Sequence, residues 1–552
     1  MSSPDSASAV RDPYDQSEPP AWGGRPDLAA AGAVFILTAA LTVGAFPPFR
    51  APEFAYVFAV PALFWACRRP PFKLFAWTLF AAQAVAWTVL LSWLHPVTWA
   101  GLFFLGPFVG VWVGSWYLAA WWAMPRIVGR PTPVRIAGQL GLAGLWVVIE
   151  WSRTWLLSGF PWLPLGASQW QRTSVLQVAA FTGAGGIAFV LLMMNFGVAA
   201  YAHRLFFEGR EGFRRRSQEF LLALFILLAC LCLFVTETVN RGQFSVPVGR
   251  IALLDPQIPQ SEKWDPADAP KDWQILERLT RLAAADRPDL ILWPESAAPG
   301  AVKGDAAFRA LLQAMVTRTR TPLLFGSVAI EGAGGPREMY YNSAFVATPD
   351  LGLQTAYYSK RHLVPFGEYV PFRALFPKMA KVVPIDGDFT PGTDPSPLLV
   401  HLPRGTTAFG VLICYEDIFP RLARETVLTG ADLLAVLTND AWYGTGGEAT
   451  QHAAHSVLRA VETRRPVLRC ANGGWSGWVD EFGMVRAELG DGTPGGSFRG
   501  AEALEVKRDS RWVDRQSFYV QHGDWFVLVA ALLALLGAAT VAAGRVAPPP
   551  PR

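Results

Sequence analysis

The sequence predicts two joined architectures: a polytopic α-helical membrane domain of about eight transmembrane helices, and an extracytoplasmic α/β domain inserted before the last helix. Three observations carry this. The 552 residues are 52% apolar and only 17% charged, which is too greasy for one ordinary soluble domain. Apolar stretches long enough to cross a hydrocarbon core of roughly 30 Å recur along the first half, and one more lies near the C-terminal end. Between the last two of them lies a long segment, Asn240 to Asp524, of ordinary soluble composition.

Residues 1–26 are polar and rich in Pro and Ser, with no apolar core followed by a small-residue cleavage site. They read as a disordered cytoplasmic tail rather than a signal peptide. Seven spans follow within residues 27–240: Leu28–Phe46, Phe54–Cys67, Leu74–Leu94, Trp99–Met124, Ile136–Trp151, Val175–Ala202 and Phe220–Val239. Several have Trp and Phe near their ends, which suits the membrane interface. An eighth span occupies residues 524–546, and residues 547–552 form a short tail.

Basic residues in the short loops set the orientation. Arg68, Arg69 and Lys73 separate spans two and three; Arg126, Arg130 and Arg135 separate four and five; Arg204, Arg210 and Arg214 to Arg216 separate six and seven. The alternate loops, near Pro47–Pro52, His95–Thr98 and Arg153–Thr173, are poor in Lys and Arg. Both termini are therefore expected in the cytoplasm and residues 241–523 outside it. At the outer end of span five, Glu150 and Arg153 are expected to pair with each other or to meet lipid headgroups.

Residues 241–523 alternate β-rich runs with helical patterns. The runs are Ile251–Leu254, Leu290–Trp293, Leu323–Ile330, Ala344–Ala347, Ala408–Cys414, Leu433–Thr438 and Val467–Ala471; the helices are Trp273–Ala285, Ala306–Thr319 and Gln451–Glu462. Such alternation predicts a sheet with helices packed on it. The five cysteines (Cys67, Cys230, Cys232, Cys414, Cys470) show neither metal-ligand spacing nor a disulfide framework. No cofactor is implied, and no aromatic-interleaved basic patch points to nucleic acid.

Three segments place reactive side chains at strand ends: Leu290-Ile-Leu-Trp-Pro-Glu295, Tyr358-Ser-Lys360 continuing to Phe366-Gly-Glu368, and Gly410-Val-Leu-Ile-Cys414-Tyr415-Glu416. Singly, Glu295 also reads as a helix cap, Lys360 as a surface charge and Cys414 as a small buried hydrophobe. In this order they resemble the Glu–Lys–Cys constellation of the nitrilase superfamily of carbon-nitrogen hydrolases, which implies an αββα sandwich. Cys470 carries no such motif and reads as a core residue.

The chemistry explains the residue types. A thiol of ordinary pKa about 8.5 is mostly protonated at neutral pH and needs a base; Glu295 fills that role. Attack on a carbonyl places negative charge on its oxygen, which the Lys360 ammonium and a backbone N–H after Cys414 can stabilise. Glu368 matches the superfamily's additional glutamate, expected to raise the pKa of the base and hold the lysine.

Fold alone cannot choose a substrate. Further matches do so: Gln257-Ile-Pro-Gln-Ser-Glu-Lys-Trp264, Thr438-Asn-Asp-Ala-Trp442-Tyr-Gly, Gln451-His452 and Ser158-Gly-Phe-Pro-Trp162. With the span pattern, they make the chain similar to the apolipoprotein N-acyltransferase family over essentially its whole length. The resemblance implies acyl transfer from a glycerophospholipid such as phosphatidylethanolamine, through a Cys414 thioester, to the α-amine of the S-diacylglyceryl cysteine of an apolipoprotein. It implies a home in the inner membrane of a Gram-negative bacterium, and Trp264, Tyr415 and Glu416 as supporting residues. The aromatic loops Pro365–Phe376 and Asp440–Gly447 are expected to lie against lipid and cover the site. The alternative is a membrane-anchored amidase of the same superfamily that uses water to hydrolyse a lipid-like amide or ester.

Overall fold

Backbone groups have no water to bond inside a bilayer, so helices are the expected form for the apolar half. A computed structural model describes residues 25–207, 217–263, 265, 267–371, 388–444, 447–490 and 498–543. The membrane region contains α1 (Arg25–Ala45), α2 (Val60–Ala66), α3 (Phe72–Leu90), α4 (Trp99–Gly114), α5 (Trp116–Ile127), α6 (Thr132–Ser152), the short α7 (Thr173–Leu176) and α8 (Ala179–Thr182), α9 (Ala184–Phe207) and α10 (Gln218–Thr238). Among the described residues, seven helical stretches are long and apolar enough to cross a membrane, with α4 and α5 counted as one and the last at Trp525–Ala543. Both tails, Arg210 and Arg214 to Arg216 lie outside the described residues.

Two of the expected spans differ. The second, Phe54–Cys67, is a 3₁₀ turn at Pro52–Tyr56 followed by the seven-residue α2. Its break is patched by Asn195 of α9, fully buried, which accepts from the Ala59 N–H (2.8 Å) and donates to the Ala55 carbonyl (2.8 Å). A side chain thus satisfies the backbone groups that the missing helical turns leave open. The segment still runs the length of α9, from Pro52, whose carbonyl accepts from Gln169, to Arg68, which lies over the Phe207 ring. The sixth span begins at Ala184 rather than Val175, because Gly183 at φ +68° breaks the chain after α8. Gln177, on the near side of that break, accepts from Arg464 and donates to the Phe482 carbonyl of the other domain.

The soluble half begins with the single turn α11 (Arg241–Phe244) and builds two six-stranded sheets. One has the order β12-β1-β2-β3-β4-β5 and the other β11-β10-β9-β8-β7-β6. The strands are β1 (Ser245–Asp255), β2 (Leu290–Leu292), β3 (Leu323–Glu331), β4 (Met339–Thr348), β5 (Gly352–Ser359), β6 (Leu398–Leu402), β7 (Gly405–Ile413), β8 (Leu433–Asn439), β9 (Val467–Asn472), β10 (Gly477–Val479), β11 (Val485–Glu488) and β12 (Gly500–Asp509). Period-two alternation decides the layers. Ile251 and Leu253 face the second sheet with Val411 and Ile413, whereas Ala252 and Leu254 face α12 (Ala269–Ala285) and α13 (Ala306–Thr319). The helices α14 (Pro420–Leu428) and α15 (Glu448–Thr463) cover the outer face of the second sheet, so the layers run α, β, β, α as the resemblance implies.

The outer layer formed by α14 and α15 shares one continuous core with the membrane bundle. Every residue of α15 is buried, so its polar side chains become fasteners. Gln451 accepts from the indole N–H groups of Trp93 (2.9 Å) and Trp162 (2.8 Å) and donates to the carbonyls of Pro47 (3.0 Å) and Leu90 (2.9 Å). Each such bond contributes about 1 kcal/mol net. After α16 (Phe518–His522) the chain re-enters the bundle as α17 (Trp525–Ala543), packed on α6 through small residues. A Cβ added at Gly144 would lie 2.4 Å from the Ala530 carbonyl oxygen, so only glycine permits this approach. The catalytic-type domain is thereby held at both ends.

Candidate active site

Parallel strands of an α/β sheet present their carboxyl ends to one edge, where ligands gather. Glu295 follows β2, Lys360 follows β5 and Cys414 follows β7, so the two sheets deliver the three side chains to a common end. The turn carrying Glu295 lies hard against β3: a Cβ added at Gly326 would come within 2.5 Å of the Ser296 nitrogen. Ser296 at φ +43° and Cys414 at φ +50° both occupy the left-handed region, which disfavours side chains by roughly 1–2 kcal/mol and is held only where surroundings enforce it.

Lys360 is 1% exposed and bracketed by two carboxylates, with its Nζ 2.9 Å from Glu368 Oε1 and 3.4 Å from Glu295 Oε1. Burial opposes its charge, but Glu368 and Glu295 outweigh burial and raise its pKa above the usual lysine value. The amide of Asn342 in β4 donates to the same two oxygens, at 2.7 Å to Glu295 and 2.9 Å to Glu368. Glu368 Oε2 accepts from the Val364 N–H, so Glu368 fixes the lysine loop as well as the lysine. Burial, then the Glu295 charge, push the Cys414 thiol up to about 12, against Lys360 and His452. These surroundings favour the thiol form of Cys414 over the thiolate.

Two neighbours were not singled out by the sequence, although one of them lies inside a matching motif. Asn342 is an unremarked polar residue within a strand. Lys263 stands in the quoted Gln257–Trp264 segment; its Nζ donates to the Glu295 main-chain carbonyl (2.9 Å), and burial lowers its pKa to about 8 against the pull of Glu295 and Cys414. Trp264 itself lies outside the described residues.

Glu416 is fully buried and braces the site from behind. Its oxygens accept from the N–H groups of Ile413 (2.8 Å), Arg361 (2.6 Å) and His362 (3.1 Å) and from the Tyr358 hydroxyl (2.8 Å). It thereby ties the Cys414 turn to the Lys360 segment across the two sheets. Tyr415 reaches the other way, donating to the Gly159 carbonyl of the membrane domain (3.1 Å), with its ring stacked on Phe160. The Ser158–Trp162 segment thus abuts the site. Glu150 and Arg153 hold that segment rather than each other. Glu150 accepts from the Leu165 N–H, while Arg153 donates to the carbonyls of Phe160 and Trp162 and lies over the Trp87 ring.

Of the two aromatic loops, Phe366 and Trp442 are 46% and 44% exposed, Tyr369 meets Ser158 (3.3 Å) and Tyr443 packs on Trp93. Residues 372–376 of the first loop, Phe372 among them, and residues 445 and 446 of the second lie outside the described residues. Cys470 is sealed between the sheets, its thiol near the carbonyls of Leu254 and Leu292. Among the described residues, one group has metal-ligand spacing, Asp440, Glu448 and His452. The Arg469 guanidinium already supplies a fixed cation to Asp440 (3.1 Å), so the group reads as an ionic network.

Residues 250–498 match the carbon-nitrogen hydrolase family and residues 38–197 the apolipoprotein N-acyltransferase N-terminal domain. Apolipoprotein N-acyltransferase of Geobacter metallireducens is 34% identical, over 92% of this chain and 94% of its own length. The chain belongs to the apolipoprotein N-acyltransferase family. The apolipoprotein N-acyltransferase of Brucella melitensis biotype 1 is 31% identical over 76% of each chain. Among solved structures, an amidase from Nesterenkonia sp. is similar over 50% of this chain and 97% of its own, with 21% identity and a TM-score of 0.37. The family models and relatives, with the apolar helices, make it a multi-pass protein of an acyltransferase family with a carbon-nitrogen hydrolase domain.

Proposed function

We propose that this protein moves a fatty acyl group from a membrane glycerophospholipid, such as phosphatidylethanolamine, to the α-amine of the S-diacylglyceryl cysteine of an apolipoprotein. The observation that carries the reading is the contact between Tyr415, next to the nucleophile, and Gly159 of the membrane bundle. It holds a thiol chemistry site against the surface where lipids reside.

In the first half-reaction Glu295 takes the Cys414 proton as sulfur attacks the ester carbonyl. Lys360 and the Tyr415 N–H stabilise the oxyanion, and its collapse expels lysophospholipid, to which Glu295 returns the proton. In the second, the amine attacks the thioester, Glu295 accepts its proton, and the amide forms as Cys414 leaves and takes that proton from Glu295. Two bulky lipids never need the site together. Product analysis tests this: a diacylglyceryl-cysteine peptide with a free amine should gain one N-acyl chain, and the amine-blocked peptide none. Sustained acyl hydrolysis without any amine would favour the amidase alternative.

The orientation proposed is an inner membrane with the α/β domain periplasmic and both termini cytoplasmic. Support comes from the basic loops, which gather at one end of the bundle: Arg68 meets Phe207, Trp121 bonds the Pro70 carbonyl, and Glu219 pairs with Arg135 and Arg204. The α/β domain sits at the other end, on Pro47, Leu90 and Leu163. Reporters fused after Gln243 should report outside the cytoplasm and those after Arg69, Arg130 or Arg215 inside it; a cytoplasmic Gln243 reporter would contradict this.

A further inference from the structure

Behind Cys414, away from the carboxylates around Lys360, lies a second buried ionic cluster that the chemistry above leaves unused. It gathers Asp417 from the turn after β7, Asp440 from the turn after β8, Glu448 and His452 from α15 and Arg469 from β9, all almost fully buried. His452 is at its centre. Its Nε2 lies 2.9 Å from Asp417 Oδ1 and 3.3 Å from the Cys414 carbonyl oxygen, and its Nδ1 lies 3.2 Å from Asp440 Oδ1 and 3.1 Å from Glu448 Oε1.

Acceptors therefore face both ring nitrogens, and only the doubly protonated ring can donate to both sides. Asp417 and Asp440 also accept from Arg469 (3.0 and 3.1 Å) and from the hydroxyls of Ser456 and Thr438 (2.7 Å each), as ionised carboxylates do. Burial and Arg469 work against a charged ring, but Asp417 and Asp440 outweigh them and hold His452 well above the usual histidine range. The remaining neighbours add no rival charge: His455 is kept neutral by burial, and Trp162 contributes an indole face at 5.4 Å.

The carbonyl that His452 reaches belongs to the Cys414–Tyr415 peptide. The N–H of that peptide donates to no protein acceptor among the described residues, and it is the oxyanion donor proposed beside Lys360. A charged donor on an amide carbonyl polarises the whole amide and strengthens its N–H. The same bond helps hold Cys414 at its unfavourable φ of +50°. We infer that His452 is a positioning residue, an imidazolium that clamps the Cys414 carbonyl and so fixes and polarises the Tyr415 N–H for the oxyanion. The inference rests on Cys414 being the nucleophile.

Two reactions of the same thiol separate this role from simple packing. Acylation by phospholipid passes through an oxyanion; alkylation by iodoacetamide is displacement at a saturated carbon and forms none. In full-length protein in detergent, His452→Gln should slow the Cys414 acylation rate constant by about 10²-fold with little change in the half-saturating phospholipid, while alkylation stays within about threefold. Equal losses in both reactions, or wild-type acylation, would overturn the inference. Should that variant fold poorly, biosynthetic replacement of histidine by the weakly basic 2-fluorohistidine removes the charge without changing shape. Burial already keeps His362 and His455 neutral, so among these three rings only His452 loses a charge. The same split is expected, and a fluorinated protein that acylates at the wild-type rate refutes the clamp. Wild-type protein that is alkylated at Cys414 yet never acylated there would instead refute the proposed nucleophile.

Discussion

Cys414→Ala eliminates acyl-enzyme formation and N-acylation, whereas Cys470→Ala retains most activity. The contrast is the largest effect expected, because alanine at residue 414 removes, among the described residues, the one thiol whose surroundings include both Glu295 and Lys360. Cys470 lies in the core between the sheets, where burial raises its thiol pKa and no cation offsets it. Its loss removes one buried sulfur and destabilises the domain by about 1–2 kcal/mol, without touching the reaction. Acyl transfer measured on both purified variants, with melting temperatures to confirm folding, decides the matter. Equal losses in two well-folded variants would contradict the assignment.

Glu295→Gln and Lys360→Met should each lower the acylation rate by at least about 10²-fold. Gln keeps the shape of Glu295 and can still bond Asn342, but it cannot accept the thiol proton, so the loss should fall on the rate constant rather than on lipid affinity. Lys360→Met removes the ammonium that Glu295 and Glu368 share and leaves two buried carboxylates without their cation. That variant should lose stability as well as rate, since an uncompensated buried charge is strongly destabilising. Single-turnover acylation with phospholipid reads the rate directly. Wild-type rates in either variant would remove that residue from the mechanism.

Sequence periodicity and loop charge made most of the architecture legible. β3, β7, β8 and α13 are recognisable because each is an uninterrupted apolar or amphipathic run of its own period. The edge strands β5, β6 and β12 are not, because polar residues interrupt their apolar pattern, and neither is α14, a nine-residue helix without a long pattern. The break in the second expected span was not legible because hydropathy sees Phe54–Cys67 as apolar but cannot see that Asn195, far away in sequence, bonds the unwound backbone. Likewise, Val175–Thr182 is apolar enough to read as the start of the span that follows, yet Gly183 turns the chain and Gln177 bonds the α/β domain.

The site divides the same way. Glu295, Lys360, Glu368 and Cys414 stand out because each sits in a local motif at a strand end. Asn342 acts through two long-range bonds and carries no local pattern, and Lys263, though inside the Gln257–Trp264 motif, acts through one long-range bond that the motif does not reveal. Glu416 and Tyr415 were visible as motif residues, but their work was not. One is a brace of four hydrogen bonds between the sheets, and the other is a tether to the membrane loop. Glu150 and Arg153 were expected to pair with each other or to meet lipid headgroups; the Phe160–Leu165 backbone bonds both instead.

The central claim is that Cys414 carries the acyl group between two lipids, and the mass of the protein tests it most directly. Enzyme incubated with phospholipid alone, then examined intact and as peptides, should show one fatty acyl chain on Cys414 and about one equivalent of lysophospholipid released, after which turnover stalls. Adding the diacylglyceryl-cysteine peptide should discharge that chain onto its amine. If Cys414 remains unmodified until both substrates are present, the reaction proceeds through a ternary complex and the two-step account is wrong.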